Sequence, residues 1–172
     1  MPQHLRITII GGGIAGLAAA RVLRENHQIT ILEKSLGENE AGAAISLGPT
    51  AVNIAEELGF DRRRCKSLAC TTIVTFDKEG KEVRCKDMTG FALHSQADWL
   101  FQHRADLWVE WFRLASAPSA EVGVHGEPAR FIWGANVEAV DVENRDVRLA
   151  DGSVLPSGLV IGVFLRVPIA LF

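Results

Sequence analysis

The stretch Leu5-Arg6-Ile7-Thr8-Ile9-Ile10-Gly11-Gly12-Gly13-Ile14-Ala15-Gly16 decides the fold. Its first half is apolar, β-branched and closed by glycine, the pattern of a strand buried on both faces. From Ile14 to Glu25 the spacing turns helical. Ile14, Leu17, Ala18, Arg21, Val22 and Glu25 fall on one side, and the small Ala18, Ala19 and Ala20 let a helix lie close to a sheet. Asn26-His27 should end that helix, because Asn tolerates a left-handed turn. Gln28-Ile29-Thr30-Ile31-Leu32-Glu33 is a second β-branched run. Strand, helix and strand within about thirty residues make a βαβ unit, with parallel strands and a right-handed crossover. The fold class expected is therefore α/β, a Rossmann-like domain on a parallel sheet.

Gly11-Gly12-Gly13-Ile14-Ala15-Gly16 fits G-x-G-x-x-G. The pattern alone is weak. Here it follows a strand, opens a helix, and is answered by an acid, Glu33, at the end of the next strand, which completes a dinucleotide fingerprint. Gly11 permits the tight turn, Gly13 lets a pyrophosphate approach the backbone, and Gly16 lets helix and strand pack closely. The N–H groups that open the helix, at Ile14 and Ala15, carry part of roughly half a unit of positive charge toward the phosphates. Glu33 would accept hydrogen bonds from the adenosine ribose and repel a 2′-phosphate. The fingerprint does not separate NAD from FAD.

Outward from this unit, Ser35 to Ala41 is polar and read as a loop, and Gly42 to Gly48 as a small-residue loop suited to close approach by a ligand. Pro49 should open a helix through about Leu58, with Gly59 past its end. Arg62-Arg63-Arg64-Cys65-Lys66 reads as a solvated basic face. Thr71–Phe76 and Lys81–Cys85 flank a hairpin loop. Arg104 to Ala117 is helical, with Leu107, Trp111, Leu114 and Ala115 on one face. Val137–Val142, Asp146–Leu149 and Ser153–Pro156 read as a small antiparallel meander, and Leu159-Val160-Ile161 as one more apolar strand.

The 172 residues are 48% hydrophobic and 23% charged with a net charge of −3, which excludes a wholly disordered chain and offers no basic excess for nucleic acid. The three cysteines form no C-x-x-C pair, so neither a disulfide framework nor a zinc site is indicated, and reduced thiols in a cytoplasmic protein are expected. The five histidines show no metal-ligand spacing, so the metal expectation is none. No signal peptide and no membrane span are read, and no catalytic residue is assigned. Trp99, Trp108 and Trp111 are read as core packing.

Ile9 to Ala20, Ile31 to Ser35, Gly42 to Ala51, Gln102 to Leu107, and Asp151-Gly152 followed by Gly158 to Gly162 together resemble, in order, the N-terminal part of the FAD-dependent monooxygenases of the aromatic-ring hydroxylase (salicylate hydroxylase-like) type. The resemblance implies FAD as cofactor, NAD(P)H as co-substrate, and hydroxylation of an aromatic or related small molecule. It implies that Gly11, Gly13, Ile14, Ala15 and Gly16 hold the pyrophosphate, that Glu33 binds the ribose, that Ala44 touches FAD through its backbone, and that Arg104 reaches back toward the cofactor. In such enzymes the flavin carries the chemistry while the protein supplies position and electrostatics.

The chain departs from the family after Gly162, where Val163-Phe164-Leu165 replaces Ala-Asp-Gly. We therefore expect a FAD-binding domain over 1–162, incomplete at its C-terminus, and an aberrant apolar tail over 163–172, with little activity in the chain as written. A NAD-dependent dehydrogenase and a non-catalytic remnant are the rival readings.

Overall fold

The computed structural model describes residues 4–37 and 42–163, apart from the side chains of His94 and Ser95. In chain order the elements are β1 (Arg6–Ile10), α1 (Ile14–Leu23), β2 (Gln28–Glu33), β3 (Ala44–Leu47), α2 (Pro49–Glu57), β4 (Leu68–Ala69), β5 (Thr72–Phe76) and β6 (Glu82–Asp87). There follow α3 (Ala92–Ser95), β7 (Leu100–His103), α4 (Arg104–Ser116), α5 (Ser119–Val122), β8 (Arg130–Trp133), β9 (Val137–Asp141), β10 (Asp146–Leu149), β11 (Val154–Pro156) and β12 (Leu159–Gly162). Two units result, Met1–Glu40 with Trp108–Phe172, and Ala41–Leu107.

The first unit is built on a parallel sheet in the order β12-β1-β2-β8. Ile7, Thr8, Ile9 and Ile10 of β1 are all buried, as expected for a strand flanked on both sides and covered on both faces. Ile9 pairs with Ile31 of β2 and Ile161 of β12, and burying each such side chain contributes about 1.5–3 kcal/mol. The chain leaves β1 for β2 on one side and returns as β12 on the other. β1 therefore ends at a switch point, where the connections diverge and leave a crevice beyond the strand's carboxyl end.

The expected meander is present as an antiparallel sheet, β11-β10-β9, turned by Arg145 at φ 60° and Gly152 at φ 85°. Val147 and Leu149 of β10 pack with Ile10, Leu32 and Ala135 into one core, joined by Ile132, Val137, Val140, Leu155 and Val160. The meander is thus closed onto the parallel sheet by aliphatic burial. Thr8 and Ser157, both buried, satisfy each other's hydroxyls at 2.5 Å.

Three readings of this unit need correction. The buried face of α1 is Gly16, Leu17, Ala20 and Arg21, continued by the fully buried Arg24 beyond its end, whereas Val22 is 46% exposed. Arg24 lies outside the face read from the sequence, yet its side chain is fully buried. The guanidinium of Arg24 donates to the carbonyls of Leu114, Ala115 and Glu127 and to Ser119 Oγ. Nor does α1 stop in a left-handed turn at Asn26. Arg24 stays right-handed, and the N–H groups of Asn26 and His27 both return to the Leu23 carbonyl. Finally, β8 went unread, because its four residues lie after a Gly-Pro-rich stretch with no alternation.

In the second unit β3, β7 and β4 form an antiparallel sheet, and β5 with β6 a separate hairpin. The segment read as a small-residue loop is therefore partly a strand. Ala44 lies in β3 opposite His103, and Leu47 opposite Leu100. α2 runs as expected, with Gly48 before Pro49, and Gly59 at φ 93° after its end. The second hairpin strand lies slightly later than read, at Glu82–Asp87, because Asp77 Oδ1 accepts the N–H groups of both Glu79 and Lys81 and lengthens the turn. The basic cluster is more than a solvated face. Arg62 bridges Glu56 and Asp98 at 2.6 and 2.7 Å, and Lys66 meets Asp106 at 3.2 Å. Cys65, Cys70 and Cys85 are free thiols. Among the described residues no helix is long and apolar enough to cross a membrane.

Candidate functional site

The first unit brings six of the eight expected site residues together at the carboxyl end of β1. Gly11 has φ 110°, a left-handed backbone that a side chain would strain, and its N–H donates to the Leu32 carbonyl at 2.8 Å. A Cβ on Gly16 would collide with the Gly11 carbonyl oxygen, so helix and strand meet there with no room for a methyl group. Gly13 is different. Its φ of −72° suits any residue, and a Cβ there would meet no heavy atom within 4 Å. Nothing in the fold requires glycine at this place. What its small size keeps open is the space in front of the turn.

Gly13 is also the residue that caps α1, with no side-chain oxygen to satisfy the helix N–H groups and no acid in the first turn. The partial positive charge of that helix end, at Ile14 and Ala15, meets no side-chain cap and no first-turn acid. An opening free of side chains, set against an uncapped helix N-terminus at a switch point, suits a phosphate anion.

Glu33 closes the site from β2. Its Oε2 accepts the Gly12 N–H at 2.7 Å, and its Oε1 accepts the Ser35 N–H at 2.9 Å. Partial burial pushes this carboxyl up, but the donors from Ser35 and Gly12, aided by Lys34, outweigh it and hold the group below its ordinary value. It is ionised at neutral pH. Each oxygen still has a lone pair for a ligand hydroxyl. Glu33 thus has a role the sequence did not show: it fixes the turn it was expected only to face.

A second unread contact comes from α4. Trp108 donates its indole N–H to the Gly12 carbonyl at 2.7 Å, in a buried position. The ring stacks on Phe112 at 5.0 Å, and Phe131 and Trp133 of β8 complete an aromatic cluster. Trp108 was read as core packing, which it is, but its donor is aimed at the glycine turn. No local signal could have found this, since 96 residues separate the partners. Val163, just past β12, donates its N–H to Ile10, and its side chain lies 3.1 Å from where a Cβ of Gly11 or Gly16 would stand. Phe164 to Phe172 lie outside the described residues.

The remaining two expected residues are brought together in the second unit. The β3–β7 pairing sets Ala44 opposite His103, and the Arg104 N–H donates to the Ala43 carbonyl at 3.2 Å. A Cβ on Gly42 would come within 2.9 Å of Arg104 Cβ, so the arginine stem lies across that glycine. In the same unit the buried Gln102 amide has no hydrogen-bond partner among the described residues.

Residues 9–39 match the family described as NAD(P)-binding Rossmann-like domain. The chain is 32% identical, over 99% of its length, to the FAD-dependent monooxygenase OpS4 of Beauveria bassiana, of which it covers 40%. It is 31% identical, over 70% of its length, to 3-hydroxybenzoate 6-hydroxylase of Klebsiella oxytoca, of which it covers 32%. Among solved structures, 2-methyl-3-hydroxypyridine-5-carboxylic acid oxygenase superposes with a TM-score of 0.73 at 24% identity, over 96% of this chain and 41% of that one. The chain therefore spans between 32% and 41% of the length of these relatives. The resemblance read from Ile9 through Gly162 is borne out in sequence and in fold.

Proposed function

We propose that this member of the FAD-dependent monooxygenases of the aromatic-ring hydroxylase type binds the ADP half of FAD at the turn Gly11–Gly16. The observation that carries the proposal is Gly13, open in front and seated on the uncapped end of α1. Gly13, Ile14 and Ala15 present N–H groups to the pyrophosphate, while Gly11 and Gly16 set the turn that aims them. Glu33 receives the ribose hydroxyls as an anion, and its charge disfavours a 2′-phosphate. That Ala44 offers backbone and Arg104 a cation to FAD rests on the family resemblance alone. Residues 1–162 are the FAD-binding portion in this proposal, and Val163, first residue of the expected tail, is packed against its glycine turn.

When bound, the flavin supplies the redox chemistry by which electrons from NAD(P)H and oxygen hydroxylate a small aromatic molecule, 3-hydroxybenzoate being the substrate named for one relative. The chain's described part in this is to bind and orient the nucleotide end. For these 172 residues alone we expect weak FAD binding, and NADH oxidation that yields hydrogen peroxide. A dehydrogenase using nicotinamide alone is less well supported, since the relatives named above are a FAD-dependent monooxygenase and a hydroxylase.

The test is to mix the purified chain with FAD, remove free flavin, and record the flavin absorbance band. The chain is then given NADH, oxygen and a panel of phenolic acids. Partial retention of flavin is the expected result. Retention of NAD but not FAD would favour the dehydrogenase, and stoichiometric hydroxylated product would overturn the expected weak activity.

A further inference from the structure

We infer that Trp108 is a positioning residue for the phosphate-binding turn: its indole N–H holds the Gly12 carbonyl and thereby aims the Gly13 N–H at the dinucleotide. The inference rests on the ADP-binding role proposed above. A trans peptide is planar, so the C=O of one residue and the N–H of the next point in opposite directions. Between two glycines such a peptide meets little resistance to turning over, because no Cβ stands on either side.

Here the turn is held from both ends of Gly12. Its N–H donates to Glu33 Oε2 at 2.7 Å, and its C=O accepts from Trp108 Nε1 at 2.7 Å. Indole nitrogen is a donor only, so it stabilises the carbonyl when that points inward and offers nothing to the flipped peptide. The indole itself is fixed, 7% exposed, stacked on Phe112 at an interplanar angle of 14° and set 6.3 Å from Trp133. Phe131 blocks the other side, its Cε1 lying 3.1 Å from the place of a Gly12 Cβ. With the Gly12 carbonyl turned to Trp108, the Gly13 N–H points the opposite way, and a Cβ on Gly13 would meet no described heavy atom within 4 Å.

The test uses the full chain, uniformly labelled with ¹⁵N, and ADP as probe. Trp108→Phe keeps an aromatic ring and removes the donor. The expected results are a slowly exchanging Trp108 indole proton in the wild type, a shifted Gly13 amide resonance in the variant without ligand, and ADP affinity reduced about three- to tenfold. An unchanged Gly13 resonance together with unchanged ADP affinity would overturn the inference. If Trp108→Phe does not fold, the wild type decides alone: an indole proton exchanging at the unprotected rate contradicts the inference, and one that is protected and slows further with ADP supports it. If the wild type binds no ADP, the proposed function fails, whereas the Gly13 resonance in the ligand-free variant still decides the role of Trp108.

Discussion

The glycine turn of the first unit, which joins β1 to α1, and the turn of the β5–β6 hairpin in the second are both short loops, yet they are built on opposite principles. In the turn the main-chain groups of Gly11 and Gly12 are committed to partners distant in sequence. Gly11 is bound to Leu32, Gly12 to Glu33 and Trp108, and Gly16 is pressed against Gly11. In the hairpin, β6 is exposed along its whole length, and the turn is closed by Asp77 on its immediate neighbours. A loop supported from afar can be held open at one chosen place, here Gly13. A loop supported only by itself is tolerant everywhere and selective nowhere.

The largest effect expected from this difference is at Gly16. Gly16→Val drives a branched side chain into the Gly11 backbone and should cost about 3 kcal/mol or more in a denaturant melt. Gly13→Ala, three residues earlier, meets open space at an ordinary φ and should stay within about 0.5 kcal/mol of the wild type. Equal losses at the two positions would break the distinction between the glycine that packs and the glycine that opens.

Arg24→Met tests the distant support next. It removes a buried guanidinium and takes the donor from the carbonyls of Leu114 and Glu127, while Ala115 keeps the Ala129 N–H, at a cost of about 2–3 kcal/mol by thermal or chemical unfolding. A neutral result would mean that α1 does not depend on the end of α4.

Glu33→Gln has a smaller effect with a definite pH dependence. The folded carboxyl titrates below its unfolded value, so its stabilisation is present above the ordinary value of 4.5 and is lost as pH falls through the depressed folded value. The variant should lose about 1 kcal/mol at neutral pH and almost nothing in acid. A loss that does not vary with pH would assign Glu33 a packing role instead. The smallest effect belongs to the hairpin. Val83 is 58% exposed, and Val83→Thr should change stability by less than about 0.5 kcal/mol.

The same contrast explains what the sequence disclosed. β1, α1, β2 and the glycine spacing were legible because each is a local pattern: β-branched runs, a 3.6-residue period, and glycines whose separations are fixed by one turn of chain. The meander was legible for the same reason, through Asn144-Arg145 and Asp151-Gly152. The supports of the turn were not. Trp108 reads as core packing, no pattern singles out Arg24, and nothing near either names its partner. Ala44 and Arg104 were singled out by resemblance. What joins them is the pairing of β3 with β7, two short strands more than fifty residues apart with little alternation to announce them. Glu33 was singled out at the end of β2 by the acid of the fingerprint, but its hold on the Gly12 N–H was not legible.

The most direct measurement is a FAD titration of the wild-type chain and of Gly13→Val, followed by flavin fluorescence, with both proteins melted in parallel. The account predicts that the two unfold at the same temperature and that the variant binds about ten- to a hundredfold more weakly, because the valine fills space that only the pyrophosphate would occupy. Equal affinity in two equally stable proteins would contradict it and place the dinucleotide elsewhere.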